Sequence, residues 1–235
     1  MNSPFQRCAW HPDAETGLSC QRCGRPICAK CLVDASVGFQ CPECAKDKQV
    51  TRKLNSFSRP VVTQAIIGVC AALFIVSLGV DKNELFSNYA LNPILVQYYG
   101  EYFRLITSMF LHANFMHIAF NMLALWQVGM ALENRLGKYK FAVIYFLSGI
   151  SGGLLSVYMN EPMAFSVGAS GAVFGLFGAY VAISRRLNSD ANGMLVMISI
   201  NLGIGFVVPN IDWHGHIGGL IGGFILGNLV ELRRR

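Results

Sequence analysis

Two side chains stand out for their type and their setting. Ser170 lies in Gly168-Ala169-Ser170-Gly171, at the head of an apolar stretch that runs to Ile183. His216 lies in Gly215-His216-Ile217-Gly218-Gly219, at the head of the last apolar stretch. A serine hydroxyl becomes a nucleophile when an imidazole takes its proton, and the same imidazole then protonates a leaving amine. Ser170 falls where a helix would begin, and unpaired backbone N–H groups and the helix dipole there favour negative charge. Such a pair, meeting inside a bilayer, implies peptide-bond cleavage within the membrane. Taken alone, Gly-x-Ser-Gly more often serves helix packing.

The elements that would bring the pair together are rich in glycine. Gly215, Gly219, Gly223 and Gly227 recur every four residues, with Gly218 and Gly222 beside them. Gly171, Gly175 and Gly178 give the segment after Ser170 a matching strip. Missing side chains on both faces let two membrane helices approach closely. No carboxylate lies within a span to orient the histidine; Asp212, in the adjacent loop, reads as a solvated residue. His214 is the nearest competitor for the base, but it reads as part of the outward loop with Trp213. His117 and Asn121, four apart, share one helix face. Their imidazole and amide N–H groups suit an oxyanion, or interhelical hydrogen bonds that fix packing.

The totals place these segments in lipid. Of 235 residues, 53% are hydrophobic and 14% charged, against about 25% charged in an ordinary soluble chain. Six apolar runs approach membrane length: Val61 to Val80, Phe115 to Leu132, Phe141 to Tyr158, Val167 to Ile183, Met194 to Val208 and Ile217 to Val230. Crossing a bilayer core takes about twenty residues. The fifth run is the weakest, being short, holding Asn201 and ending at Pro209. The first fifty residues are polar and Cys-rich, unlike a cleaved signal.

The formal net charge is +6. Its positives alternate between loops: Arg52, Lys53 and Arg59; Arg135, Lys138 and Lys140; Arg185 and Arg186; Arg233, Arg234 and Arg235. The opposite loops hold little beyond Lys82 and Arg104. The positive-inside rule then puts both termini in the cytoplasm, as an even number of spans requires. The positives follow topology and form no continuous patch, so nucleic acid is not an expected partner.

Seven of the eight cysteines lie between Cys8 and Cys44. With His11 they form four pairs, each with two residues between partners: Cys8/His11, Cys20/Cys23, Cys28/Cys31 and Cys41/Cys44. That spacing suits two tetrahedral zinc sites with thiolate and imidazole ligands. Disulfides fit less well, since seven is odd and the topology places them in a reducing compartment. So few apolar side chains in about fifty residues would leave the fold dependent on metal. The module is expected to be a folded cap or a docking surface for substrate, partner or a second copy. Cys70, inside the first run, reads as a packing residue. Gln49 to Arg59 reads as a basic linker beside anionic lipid.

The cysteine segment resembles a B-box zinc finger. That likeness implies interleaved sites, Cys8, His11, Cys28 and Cys31 on one ion and Cys20, Cys23, Cys41 and Cys44 on the other; consecutive pairing stays open. From Val61 onward the chain resembles the rhomboid family of intramembrane serine proteases. The resemblance rests on the Arg104 segment, His117-x3-Asn121, Gly129-x3-Glu133-x3-Gly137, Gly168-Ala169-Ser170-Gly171 and His216-x-Gly-Gly, in that order. It implies a Ser170–His216 dyad without an acid, and an oxyanion site from His117, Asn121 and the Ser170 N–H. Arg104, Glu133, Gly137, Gly168, Gly171, Gly215 and Gly219 take structural positions, and His112 a structural or water-holding one.

The expected fold is an all-α membrane protein, a six-helix rhomboid bundle with a small zinc-binding domain. The expected divisions are 1–48 for the finger, 49–60 for the linker and 61–235 for the membrane domain. The resemblance implies transmembrane protein substrates cut near the outward face, two structural zinc ions, and no cofactor for catalysis. The expected location is a bacterial plasma membrane. The loop around Pro209 and Asn210 is expected to cover the site, and Met163 and Phe165 to line its entry. A catalytically inactive, client-binding rhomboid relative is the alternative. A metal transporter using His112, His117, His214 and His216 lacks acidic residues within its spans. A finger merely anchored in the membrane would need only one helix.

Overall fold

The computed structural model describes residues 6–35, 38–46, 60–187, 189–209 and 211–232. The collar residues Arg52, Lys53 and Arg59, Asn210, and the terminal Arg233 to Arg235 lie outside them. The chain forms two compact units, Met1–Phe57 and Ser58–Arg235.

The first unit has little regular structure. β1 (Gln6–Arg7) pairs antiparallel with β2 (Glu15–Thr16), β3 (Val33–Asp34) pairs with β4 (Phe39–Gln40), and α1 is Pro42–Lys46. Its buried core is Cys8, Cys20, Cys28, Cys31 and Cys41 around Ile27. Thiols and one isoleucine bury too little apolar area to hold such a fold by themselves.

The second unit is helical. Its long helices are α2 (Val61–Ser77), α6 (Phe115–Leu136), α7 (Lys138–Met159), α8 (Ser170–Arg186), α9 (Asn192–Val207) and α10 (Trp213–Leu232). Among the described residues, α6 and α7 are long and apolar enough to cross a membrane, and α2 and α9 are shorter apolar helices. Three short helices, α3 (Lys82–Tyr89), α4 (Pro93–Gln97) and α5 (Arg104–Thr107), fill the segment between α2 and α6. This segment was legible in the sequence only as a loop. Asp81 and Asn92 begin α3 and α4 by accepting from the backbone N–H of Asn83 and Leu95.

Glycine sets the packing of α10 against α7 and α8. A Cβ at Gly219 would run into the Gly171 carbonyl, and one at Gly223 into that of Gly175. A Cβ on Gly218 would stand 2.8 Å from the Ser151 carbonyl of α7. Ser151 also donates from Oγ to the Gly218 carbonyl at 2.9 Å.

The Gly129, Glu133 and Gly137 element has one physical purpose per residue. Pro60 gives α2 no side-chain cap. Glu133, on α6, supplies one instead, accepting from the N–H groups of Val62 (2.9 Å) and Thr63 (2.8 Å) and from Thr63 Oγ1 (2.8 Å). Gly129 admits Thr63, whose Cγ2 would sit 2.9 Å from a Cβ there. Gly137 turns the chain from α6 into α7 at φ +83°, where a side chain would be strained.

Candidate active site

Ser170 is the first residue of α8, so its N–H belongs to the helix turn that lacks intrahelical acceptors. The sequence placed the start of this span at Val167; in the structure, residues 167–169 form the approach to the helix. Arg104 helps to hold that approach through the preceding loop. Buried, its guanidinium donates to the carbonyls of Ala90 (2.8 Å) and Ser87 (2.9 Å) and to Glu101 Oε2 (2.5 Å). Leu91, next to Ala90, exchanges backbone hydrogen bonds with Ser166 at 2.9 and 3.0 Å. The Gly168 N–H donates to the Ser108 carbonyl at 2.9 Å.

Ser170 and His216 line one cavity of about 40 Å³, together with Ser108, Ser166, Gly168 and Asp212. The His216 ring is buried and stacks on Phe174, with centroids 4.3 Å apart and planes 12° from parallel. Phe174 is four residues after Ser170, on the same face of α8. That spacing was the sequence signal that could have found it. Nδ1 of His216 lies toward Gly205 of α9, at 3.7 Å from where a Cβ would stand, and has no hydrogen-bond partner among the described residues.

Gly168 joins a third group to the site. At φ +124°, it holds its Cα so that a Cβ would lie 2.7 Å from His117 Nε2 and 3.7 Å from Ser170 Oγ. The His117 ring and the Ser170 hydroxyl therefore flank one point. Asn121, buried one turn below, donates from Nδ2 to the His117 carbonyl at 2.9 Å, which uses one of its two amide hydrogens. His112 is buried with its ring 5.2 Å from that of His117, and its Nδ1 lies 3.3 Å from the Phe110 carbonyl.

Two expectations are corrected here. Asp212 is not a solvated loop residue: it accepts from Ser156 Oγ (2.5 Å), Asn160 Nδ2 (3.0 Å) and the Gly215 N–H (3.0 Å). Trp213 and His214 are not loop residues either, because that cap starts α10 at Trp213. Met163 and Phe165, expected at the entry, are 72% and 48% exposed and are not among the residues that line the cavity itself.

In the first unit the eight ligand candidates gather as Cys8, His11, Cys28 and Cys31, and as Cys20, Cys23, Cys41 and Cys44. Within each group the donor atoms lie within 4.8 Å of one another. Cys31 Sγ is 3.1 Å and Cys28 Sγ 3.5 Å from His11 Nδ1, and Cys23 and Cys41 Sγ are 3.8 Å apart. Four thiolates at about 2.3 Å from one tetrahedral ion would stand roughly 3.8 Å apart, so both clusters fit a bound metal. Arg25 Nε donates to Cys23 Sγ at 3.4 Å and Nη2 to Glu43 at 2.6 Å, and its guanidinium lies over the Trp10 ring. The hydrogen bond from Arg25 is the main reason that the Cys23 thiol and the Glu43 carboxyl both sit below their usual ranges.

Comparison with known proteins bears on the helical unit. A family model described as the Rhomboid domain matches residues 99–233. The Rhomboid protease GluP of Bacillus subtilis (strain 168) is 48% identical over 147 residues, 60% of this chain and 28% of that protein. The putative rhomboid protease YdcA of the same organism is 37% identical over 141 residues, 57% of this chain and 70% of its own length. RHOMBOID-like protein 5 of Arabidopsis thaliana is 37% identical over 142 residues, with 57% and 46% covered. The match thus spans little more than a quarter of GluP and under half of the plant protein.

Proposed function

The chain belongs to the rhomboid family, and on that premise we propose that it is an intramembrane serine endopeptidase with Ser170 as nucleophile and His216 as base. The observation that carries the reading is the convergence of Ser170, His216 and the His117 ring on one small cavity and its Gly168 wall.

His216 Nδ1 is turned toward Gly205, so Nε2 is the nitrogen that serves Ser170. Nε2 takes the Oγ proton as Oγ bonds to the scissile carbonyl carbon. The oxyanion so formed is stabilised by the Ser170 N–H at the start of α8, the His117 ring N–H and the remaining Asn121 amide hydrogen. As the C–N bond breaks, the imidazolium returns its proton to the leaving amine. Water, activated by the same imidazole, then hydrolyses the acyl ester. Stacking on Phe174 and the buried setting hold the ring without a carboxylate partner.

The substrates of this reading are transmembrane proteins. A helical peptide bond is shielded by its own backbone hydrogen bonds and side chains, so the substrate must become extended to reach Ser170. In this reading the six long helices cross the bilayer, and the alternation of Lys and Arg supports both chain ends facing the cytoplasm. The cleavage site then lies near the outward face.

The two clusters of the first unit take zinc, because thiolate and imidazole donors in fours suit that ion. Bound there, the metal supplies folding energy that the sparse core lacks; it takes no part in cleavage.

The test is reconstitution of the purified chain with a single-span membrane substrate. Cleavage should disappear with Ser170→Ala and with His216→Ala. Cleavage that survives either change would remove the dyad.

A further inference from the structure

The base is placed by the backbone at the start of α10, and that start is tied to a different helix. Asp212 caps α10: its carboxylate accepts the Gly215 N–H at 3.0 Å, and its carbonyl accepts the His216 N–H at 3.3 Å. The same carboxylate takes the Ser156 hydroxyl at 2.5 Å and the Asn160 amide at 3.0 Å, both from the end of α7. Asn160 also donates to Ser156 Oγ at 2.7 Å, and its Oδ1 stands 2.6 Å from Nδ1 of His214, in the first turn of α10. The donors and acceptors agree in one direction: His214 Nδ1–H to Asn160, Asn160 N–H to Asp212 and Ser156, Ser156 O–H to Asp212. The carboxylate accepts every bond it makes.

We propose that Asp212, clamped by Ser156 and Asn160, is the positioning residue for His216. The assignment rests on the proposed dyad and extends it. A first helical turn frays unless it is capped, and His216 is the fourth residue of α10. The His216 side chain is braced by a stacked ring, while its Nδ1 has no hydrogen-bond partner among the described residues. Its reach to Ser170 is therefore set by where its Cα is held. Glycine at 215 serves the clamp, since a Cβ there would stand 2.9 Å from Asp212 Oδ2. The hydrogen bonds of the Asp212 carboxylate go to Ser156, Asn160 and the Gly215 N–H, so it orients the base through α10.

The experiment measures kcat and KM of the full chain on a single-span fluorogenic substrate, with the unfolding midpoint of each variant in the same detergent. Asp212→Ala should lower kcat about ten- to a hundredfold, with KM within about twofold. Ser156→Ala, which removes one donor and keeps the cap, should lower kcat several-fold and leave the midpoint near that of the parent. Asp212→Asn keeps an acceptor oxygen for the Gly215 N–H and the Asn160 amide and turns its amide hydrogens toward Ser156 Oγ, so kcat should fall less than with Asp212→Ala. A kcat for Asp212→Ala within about twofold of the parent, a loss that only follows the folded fraction, or an Asp212→Asn variant as impaired as Asp212→Ala overturns the clamp. If Ser170→Ala abolishes cleavage while Asp212→Ala does not affect it, the clamp falls and the dyad stands. If Ser170→Ala cleaves normally, both fall.

Discussion

The imidazole of His216 lies flat against the ring of Phe174, one helical turn beyond Ser170 on the same helix. The helix that carries Ser170 therefore also braces the proposed base. Stacked aromatic pairs contribute about 0.5–1.5 kcal/mol beyond their buried area. Phe174→Leu keeps most of the packing and removes the flat support, so kcat should fall about tenfold with a smaller change in KM. Phe174→Tyr keeps the ring and should retain activity. Equal activity in the Leu and Tyr variants would show that stacking does not hold the base.

Close approach of α8 and α10 makes a second expectation. Gly219→Ala pushes a methyl group into the Gly171 carbonyl, and overpacking of this kind costs about 1–3 kcal/mol or more. Activity and the unfolding midpoint should drop together. Gly203→Ala, where nothing lies within 4 Å of the new Cβ, should leave both unchanged. A Gly219→Ala protein as stable and active as the parent would contradict the packing described for these two helices.

Glu133 supports a helix other than its own. Glu133→Ala strands the buried N–H of Thr63 and its hydroxyl, along with the N–H of Val62, and each unmet donor costs about 1–3 kcal/mol. Thermal unfolding in detergent should show a large drop for Glu133→Ala. Glu133→Gln retains one acceptor oxygen, so its drop should be smaller. A stable alanine variant would mean that α2 is capped some other way.

The candidate residues were more legible in the sequence than the scaffold around them. Ser170, His216 and the glycine ridge carry local signals of residue type and four-residue spacing. The pairing of metal ligands depends on which turns meet in space, and spacing alone left two arrangements open. Asp212 was misread because its partners, Ser156 and Asn160, are more than fifty residues away and on another helix. Arg104 was recognised as structural, yet the short helices α3 to α5 that it fastens were not foreseen. Their length is below what periodicity resolves.

The first unit should bind metal independently of cleavage. The chain should carry two zinc ions by elemental analysis, and Cys20→Ser should lower that content while Ser170-dependent cleavage continues. Acid should release the metal as thiolates protonate. Cys23 sits below the usual thiol range because of Arg25, so it stays a thiolate to lower pH. Arg25→Ala raises that thiol and should shift metal release from the second cluster to higher pH. Release at an unchanged pH would remove Arg25 from that role.

Covalent trapping tests the dyad most directly. A fluorophosphonate reacts with a serine only when its hydroxyl is activated by a base. Incubated with the full chain in proteoliposomes and located by peptide mass spectrometry, the adduct should sit on Ser170 and be lost with His216→Ala. No adduct on Ser170, or undiminished labelling without His216, would contradict the account.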